Sequence, residues 1–213
     1  MKRALMVLST AVFISGMAAA QDEFSKFTFN AGAGFTTPVK GAGDVLDRGW
    51  NAGLGAGVNF HPNFGLLLEG NYNRMGINSA TLNALSFPGG NVSVWSATLN
   101  PIIRLNPRGP VDAYFIGGAG LYQWRNQFTA PTVTTVTGFN PFLGVFYPVA
   151  VPATQVLTDY SVNKFGFNGG MGFTFGGIGH GKARFYSEAR FHRMMLSSSR
   201  HMDMVPVTFG IRF

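Results

Sequence analysis

Apolar and polar side chains alternate with a period of two along much of the chain after residue 20. The last ten residues are the clearest case, because every second side chain is apolar and those between are mostly small or polar. The apolar face of this segment consists of Val205, Val207, Phe209, Ile211 and Phe213. Successive side chains of a β-strand point to opposite sides of the sheet. We therefore expect a C-terminal strand with one apolar face.

The same alternation predicts eight strands of about ten residues, which is the length that a tilted strand needs to cross a bilayer. The regular ones lie at residues 27–36, 50–61, 165–175 and 204–213. The less regular ones lie at residues 64–74, 92–105, 111–125 and 184–192. Pro101 interrupts the strand at 92–105, so we expect a bulge or a register shift there. Residues 111–125 are apolar on both faces, and their orientation stays open.

Closure of these strands into a ring follows from the chemistry of lipid. An open sheet would leave unpaired N–H and C=O groups in hydrocarbon, whereas a closed barrel pairs them all. The predicted fold class is therefore all-β, an eight-stranded antiparallel up-and-down transmembrane β-barrel. A soluble barrel would reverse the faces, with apolar side chains inside, but here the polar, glycine-rich face carries the arginines and glutamates.

The connections between strands alternate in length, which is typical of outer-membrane barrels with short periplasmic turns and longer outer loops. The longer segments are 37–48, 76–91, 126–163 and 196–203. The short ones are 61–63, 106–110 and 176–181. Aromatic residues near the strand ends would form two girdles at the lipid interfaces. They are Phe24, Phe27, Phe35, Trp50, Phe60, Phe64, Tyr72 and Phe213.

The first twenty residues have the order of a secretory signal. Lys2 and Arg3 precede an apolar run at residues 4–14, and small residues follow it at Ala18 and Ala20. We expect cleavage after Ala20. The predicted organisation is a signal peptide at residues 1–20 and a barrel domain at residues 21–213.

Composition excludes several classes of function. Charged residues make up 12% of the 213 residues, against about 25% in a typical soluble domain. The absence of cysteine excludes disulfides, a thiolate metal site and a cysteine nucleophile. The net charge of +7 does not indicate nucleic acid as a partner, because the basic residues are scattered and the chain is expected to be exported.

Long charged side chains on the inward face predict an ion network in the lumen. Many inward positions are glycine, which leaves volume for long side chains on other strands of a barrel this narrow. We expect the network to centre on Glu69 and Glu188, because a buried charge without a partner is costly. Its predicted members are Glu69, Arg104, Arg184, Glu188, Arg190 and Arg212. The network favours a packed, plugged barrel, with a narrow gated pore as the alternative.

Catalytic groupings are weak. His192 lies near Ser197–Ser199 in sequence, and His201 shares a face with Asp203, but neither arrangement makes a triad. We interpret His192, His201 and Asp203 as polar residues of the rim or loops. The four histidines have no metal-ligand spacing. We therefore expect no cofactor, no metal and no enzymatic activity.

The segment at residues 126–158 contains no charged residue. Residues 132–137 consist of threonine and valine, a β-prone stretch that could extend two strands beyond the membrane as a hairpin. Residues 141–152 are apolar but too broken by proline to span a membrane. Three interpretations stay open, namely a loop over the barrel mouth, an adhesive or ligand-capturing surface, and a conduit that passes hydrophobic solutes into the membrane, as in OmpW-like barrels.

With these features the chain resembles the family of small eight-stranded outer-membrane barrels, which includes the OmpA transmembrane domain, OmpX and the opacity proteins. The most specific part of the resemblance is the C-terminal strand, whose alternating apolar residues end at the aromatic Phe213. The resemblance implies that this strand is read by the barrel-assembly machinery. It also implies a monomer in the outer membrane of a Gram-negative bacterium, surrounded by lipid and lipopolysaccharide.

The role implied by the resemblance is structural, or one of surface interaction with a ligand or host partner through the long loops. A narrow channel or solute conduit is the alternative, and a lipid-modifying enzyme of the outer membrane is a more distant one.

Overall fold

Eight antiparallel strands form a closed barrel in the computed structural model, which describes residues 25–176, 183–196 and 200–213. Each strand pairs with its neighbours in sequence, and the last strand closes against the first. The strands are β1 (Phe27–Val39), β2 (Leu46–His61), β3 (Phe64–Ile77), β4 (Gly89–Arg104), β5 (Val111–Asn140), β6 (Val145–Phe175), β7 (Arg184–Met195) and β8 (His201–Arg212). This architecture confirms the predicted fold class.

Helical structure is confined to two short segments among the described residues. A 3-10 turn spans Lys40–Ala42 after β1, and helix α1 spans Ser79–Ala84 between β3 and β4. The side chain of Asn78 caps α1 by accepting a hydrogen bond of 2.8 Å from the backbone N–H of Thr81. Neither segment is long and apolar enough to cross a membrane.

The two faces of each strand follow the predicted alternation. Apolar side chains such as Leu54 and Leu121 lie on the outer wall and are 70% and 65% exposed, whereas Thr28 and Asn100 are buried in the lumen. The strand whose orientation was open, β5, places Tyr114 in the lumen between outward-facing neighbours. The exterior therefore suits hydrocarbon, and the interior is largely polar. We call the end with the short turns the periplasmic end.

Pro101 does not produce the expected bulge or register shift, so that prediction is wrong. Pro101 pairs with Leu66 of β3 in an unbroken register. On the other side, the pairs Leu99–Ala119 and Ile102–Ile116 keep the same register across the proline. Proline lacks only one ladder donor, and its side chain faces outward at an exposed position, where the ring fits without displacing the strand.

The segment at residues 126–163 is a continuation of the sheet rather than a loop folded over the barrel mouth. β5 and β6 pair from the barrel wall to Asn140 and Val145, with one register shift between Phe128 and Thr129. Beyond Thr129 the strand β5 has no pairing with β4. About twelve residues of ladder therefore form a two-stranded ribbon roughly 40 Å long, at about 3.3 Å per residue. We call this part, residues 130–156, the hairpin.

Glycines on the inward face allow two tyrosines to cross the lumen. A Cβ atom at Gly172 would lie 2.5 Å from Cζ and Oη of Tyr114, and one at Gly210 would lie 2.6 Å from Cε1 of Tyr186. Such separations are too short for real contacts, so the tyrosine rings occupy space that only glycine leaves free. This close fit supports the prediction that inward glycines leave space for long side chains of other strands.

Candidate functional site in the barrel lumen

Four charged side chains meet at the middle of the lumen, and we call them the central ion network. Arg190 of β7 lies between two carboxylates: its guanidinium is 2.7 Å from Oε2 of Glu69 and also donates to Glu188. Arg212 of β8 approaches Glu188 at 3.7 Å. All four side chains are nearly inaccessible to solvent. Two positive and two negative charges balance in this buried layer, as the cost of burying a single charge requires.

Neutral side chains complete the hydrogen bonding of the two carboxylates. Asn30 and Asn100 donate to the two oxygens of Glu69 at 2.7 and 2.6 Å. Tyr114 donates to Glu188 at 2.9 Å. Sequence reasoning missed all three, although Asn30 and Asn100 lie on predicted inward faces. Tyr114 belongs to the strand of open orientation, so no signal identified it.

Two predicted members, Arg104 and Arg184, lie apart from this network at the periplasmic end. Arg184 donates to the backbone carbonyl oxygens of Pro107 and Gly109 at 3.2 and 2.7 Å and so holds the short β4–β5 turn. Arg104 lines a cavity at the periplasmic mouth. Neither arginine has an ion pair with any residue that the structure describes. These two arginines lie closer to the periplasmic end of the barrel axis than the central ion network does. The alternation of inward and outward residues does not predict that position.

A second polar layer lies toward the extracellular side. Thr36 donates to Asn73 at 2.6 Å, and Asn51 donates to Thr36 at 3.2 Å. Nearby, the hydroxyl of Tyr122 and Nδ1 of His192 are 3.0 Å apart. His192 is buried in the lumen, so its interpretation as a rim or loop residue is wrong. Its inward position on β7 gives it this partner.

His201 and Asp203 lie on the outer wall near the extracellular end. Asp203 accepts two hydrogen bonds from Arg193 at 2.8 and 2.7 Å and lies 3.0 Å from Nζ of Lys40. Nε2 of His201 is 3.7 Å from the same carboxylate. Asp203 is therefore the centre of an ion cluster with two cations. Among the described residues, no serine hydroxyl is hydrogen-bonded to His201 or Asp203, as a catalytic triad would require.

An apolar cluster closes the extracellular end of the lumen, and we call it the apolar cap. It was not foreseen, because an inward apolar residue breaks the expected polar face. Its members are Leu46, Met75, Ile77, Val92, Val94, Tyr122, Met194, Met202 and Met204. Below the cap, the cavity beside the central ion network measures only about 10 Å³, which is at most the space of one water molecule. The lumen is therefore filled across its middle.

A filled lumen predicts that the purified protein conducts no steady current. In planar bilayers we expect the wild type to give no sustained open channel, because no continuous water path passes the central ion network and the apolar cap. A steady open conductance in protein shown to be folded would contradict the plugged barrel and favour the gated pore.

Aromatic and basic side chains share the extracellular part of the outer wall. Trp50, Tyr72 and Trp95 form a row with ring centroids 5.1 and 4.6 Å apart. Arg74 pairs directly with Trp50 across the strands. Further out, Arg125 forms an exposed ion pair with Asp159, and its hydrogen bonds hold the pKa of that carboxyl below its ordinary value. An aromatic row beneath basic groups is the pattern of a lipid interface.

The predicted assembly strand corresponds to β8. It pairs with β1 on one side and β7 on the other, and the backbone N–H of Phe213 donates to the carbonyl of Phe29 at 2.8 Å. Phe209 and Phe213 face outward and are exposed. Several other predictions fall outside the described residues. They concern the signal peptide with Ala18 and Ala20, Phe24, His180, Ser197–Ser199 and most of the turn at 176–181.

Residues 6–191 match a protein family described as outer membrane protein beta-barrel domain. No match is found among proteins of curated function. Neisserial surface protein A has a similar structure, with a TM-score of 0.55 and 14% identity over 88% of this chain and 96% of that one. The values for Ail of Yersinia pestis are 0.47 and 18%, over 89% and 100% of the two chains. At 14% identity the similarity to Neisserial surface protein A concerns the fold alone.

Proposed function

The chain belongs to the family of outer membrane protein beta-barrel domains, and from this premise we propose that it acts through its extracellular surface, without catalysis or conduction. Membership places the protein in the outer membrane of a Gram-negative bacterium. The plugged lumen supports a scaffold that holds surface elements in place. The proposal then depends on which surface element has the exposed side chains to bind a partner.

The hairpin is the observation that carries this proposal. Its tip exposes Phe142 at 96%, and Leu143 and Phe146 at 72% each. The 33 residues from 126 to 158 include no charged side chain. Exposed apolar patches of this kind mark interaction sites, and an isolated two-stranded ribbon is only marginally stable in water. A surface ligand or host partner that covers the tip would stabilise it.

The chemistry of the lumen supports a role without catalysis. The one buried histidine of the described residues, His192, is engaged by Tyr122. Asp203 is held by Arg193 and Lys40. The cavity that His192 lines measures only about 10 Å³, which leaves no room for the nucleophile and substrate that a hydrolase brings together.

The remaining partners that we propose are those of the membrane itself. The row of Trp50, Tyr72 and Trp95 with Arg74 above it suits the boundary between acyl chains and the phosphates of lipopolysaccharide. The apolar, aromatic-ended strand β8 suits recognition by the barrel-assembly machinery. Because the strands close on themselves, no sheet edge within the barrel wall requires a second copy, which is consistent with a monomer.

Replacing the tip residues should abolish the surface interaction. We expect cells that display the triple variant Phe142→Ser, Leu143→Ser, Phe146→Ser to lose at least tenfold in adhesion to phenyl-coated beads and to epithelial monolayers. The reason is that these three are the most exposed large apolar side chains of the tip. Adhesion is counted per cell after normalising for the displayed protein.

The matched control carries the same number of apolar-to-serine changes in the stem of the hairpin. Val133→Ser, Val136→Ser and Val156→Ser alter exposed residues of the ladder and leave the tip intact. We expect this control to adhere within twofold of the wild type. Equal adhesion by the tip variant and the wild type on both surfaces would refute the proposed role of the hairpin.

A further inference from the structure

A cavity of about 160 Å³ lies at the periplasmic mouth of the lumen, and its lining is strongly basic. We call it the periplasmic cavity. Four arginines line it, and the one acidic side chain among its described lining residues is Asp112. The basic lining residues are Arg104, Arg108, Arg184 and Arg212. Nothing in the proposed surface role uses this part of the molecule.

The charges around the periplasmic cavity do not balance. The central ion network is neutral, because Arg190 and Arg212 compensate Glu69 and Glu188. The other three arginines of the cavity then face Asp112, the one acidic side chain among the described lining residues. Asp112 is itself occupied, since it accepts the backbone N–H of Asn106 at 2.8 Å. A concave site with low-dielectric walls concentrates the field of such charges and attracts anions.

Arg212 provides a second, independent observation. Its side chain is only 5% exposed, and none of its guanidinium nitrogens has a hydrogen-bond partner among the described residues. The nearest carboxylate oxygen, on Glu188, is 3.7 Å away, which is too long for a hydrogen bond. A guanidinium carries five donors, and leaving buried donors unmet is costly. The guanidinium instead lies 4.6 and 5.0 Å from the ring centroids of Tyr114 and Tyr186. Its charge at the inner wall of the cavity would attract an anion without contacting it.

The geometry points to a binding site for a small oxyanion of the phosphate or sulfate type in the periplasmic cavity. Basic side chains outnumber acidic ones among its described lining residues, which favours an anion. Arginine prefers oxyanions because its planar donors fit their oxygens in pairs. Arg184 is already fixed by the carbonyl groups of Pro107 and Gly109, so part of the site is preorganised. The volume of about 160 Å³ admits a five-atom ion with some of its water.

The cavity opens on the barrel axis rather than on the outer wall, since its lining comes from inward positions such as Thr28, Asn59 and Thr174. A soluble ion of the periplasm reaches this position directly. A lipid headgroup phosphate has the same chemistry but would have to leave the bilayer and turn into the lumen. We therefore assign the site to a soluble ion, and the experiment separates the two sources.

The test measures binding of inorganic phosphate to the full chain in phosphatidylcholine nanodiscs at low ionic strength, by equilibrium dialysis. We expect one phosphate per barrel, displaced by sulfate and not by an equal concentration of chloride. Arg104→Gln and Arg108→Gln should each raise the dissociation constant at least tenfold. The matched control, Arg48→Gln, removes the same charge from an exposed position on the outer wall at the extracellular end and should change it less than twofold.

Three results would overturn the proposal: no stoichiometric phosphate binding to the wild type, unchanged binding by both cavity variants, or an equal loss in the Arg48→Gln control. Heat-modifiable gel migration shows whether each variant is folded before it is assayed. In a second arm the nanodiscs contain phosphatidic acid. If phosphate still binds in these nanodiscs, the ligand of the site is a soluble ion. If phosphate binding is lost completely, the lipid headgroup occupies the site and the assignment to a soluble ion is wrong.

Discussion

Replacing Arg190 with methionine is expected to lower the free energy of unfolding by about 3–5 kcal/mol, which is the usual cost of breaking a buried ion pair from one side. Among the described residues, Arg190 is the one side chain that forms ion pairs with both carboxylates of the central ion network. Without it, Glu69 and Glu188 would share the single charge of Arg212 inside the barrel. The measurement is a urea titration of the protein in lipid vesicles, followed by the change in gel migration on unfolding.

Two companion variants separate this effect from the loss of a charge alone. Arg125→Met breaks the exposed ion pair with Asp159 and should leave the unfolding midpoint nearly unchanged, since such pairs contribute little. Glu69→Gln combined with Arg190→Met leaves one carboxylate facing one guanidinium. We expect this double variant to recover part of the lost stability, a non-additivity typical of residues in one network. A lower unfolding midpoint for the double variant than for Arg190→Met alone would show that charge balance does not control the stability of the network.

Much of the architecture could be predicted from the sequence because a barrel in lipid imposes a strict period of two. One side of each strand must be apolar, so residues such as Leu54 and Leu68 mark the outer face, and Glu69 is assigned to the lumen by its neighbours. The same argument placed Glu188 and Arg190 in the interior. Their pairing follows because buried charges need partners.

What the sequence could not show is height along the barrel axis. The stagger of the strands decides which inward residues share a layer, and that stagger emerges only when the ring closes. Arg104 and Arg190 lie on equally inward positions, yet one lines the periplasmic cavity and the other the central ion network. The apolar cap was not predicted for a related reason. Inward residues near the extracellular end, such as Met75 and Met202, need not be polar.

The fit of Tyr114 against Gly172 leads to the other large effect that we expect. Gly172→Val should destabilise the barrel by about 3–5 kcal/mol, as overpacking of a filled interior costs about 1–3 kcal/mol and a hydrogen bond to a charged group contributes about 1.5–3 kcal/mol. A Cβ atom at this position would lie 2.5 Å from Tyr114 and 2.7 Å from the backbone oxygen of Ser187. The ring must move, and its bond to Glu188 is then lost.

Gly169→Val is the matched control, three residues away on the same strand and facing lipid. A Cβ atom there meets nothing within 4 Å, and a β-branched side chain suits a strand, so we expect folding yield and urea midpoint at or above those of the wild type. The comparison isolates the lumen from the general effect of glycine on a strand. Equal midpoints for the two variants would mean that the interior yields to an added side chain, and that Tyr114 is not needed to hold Glu188 in the central ion network.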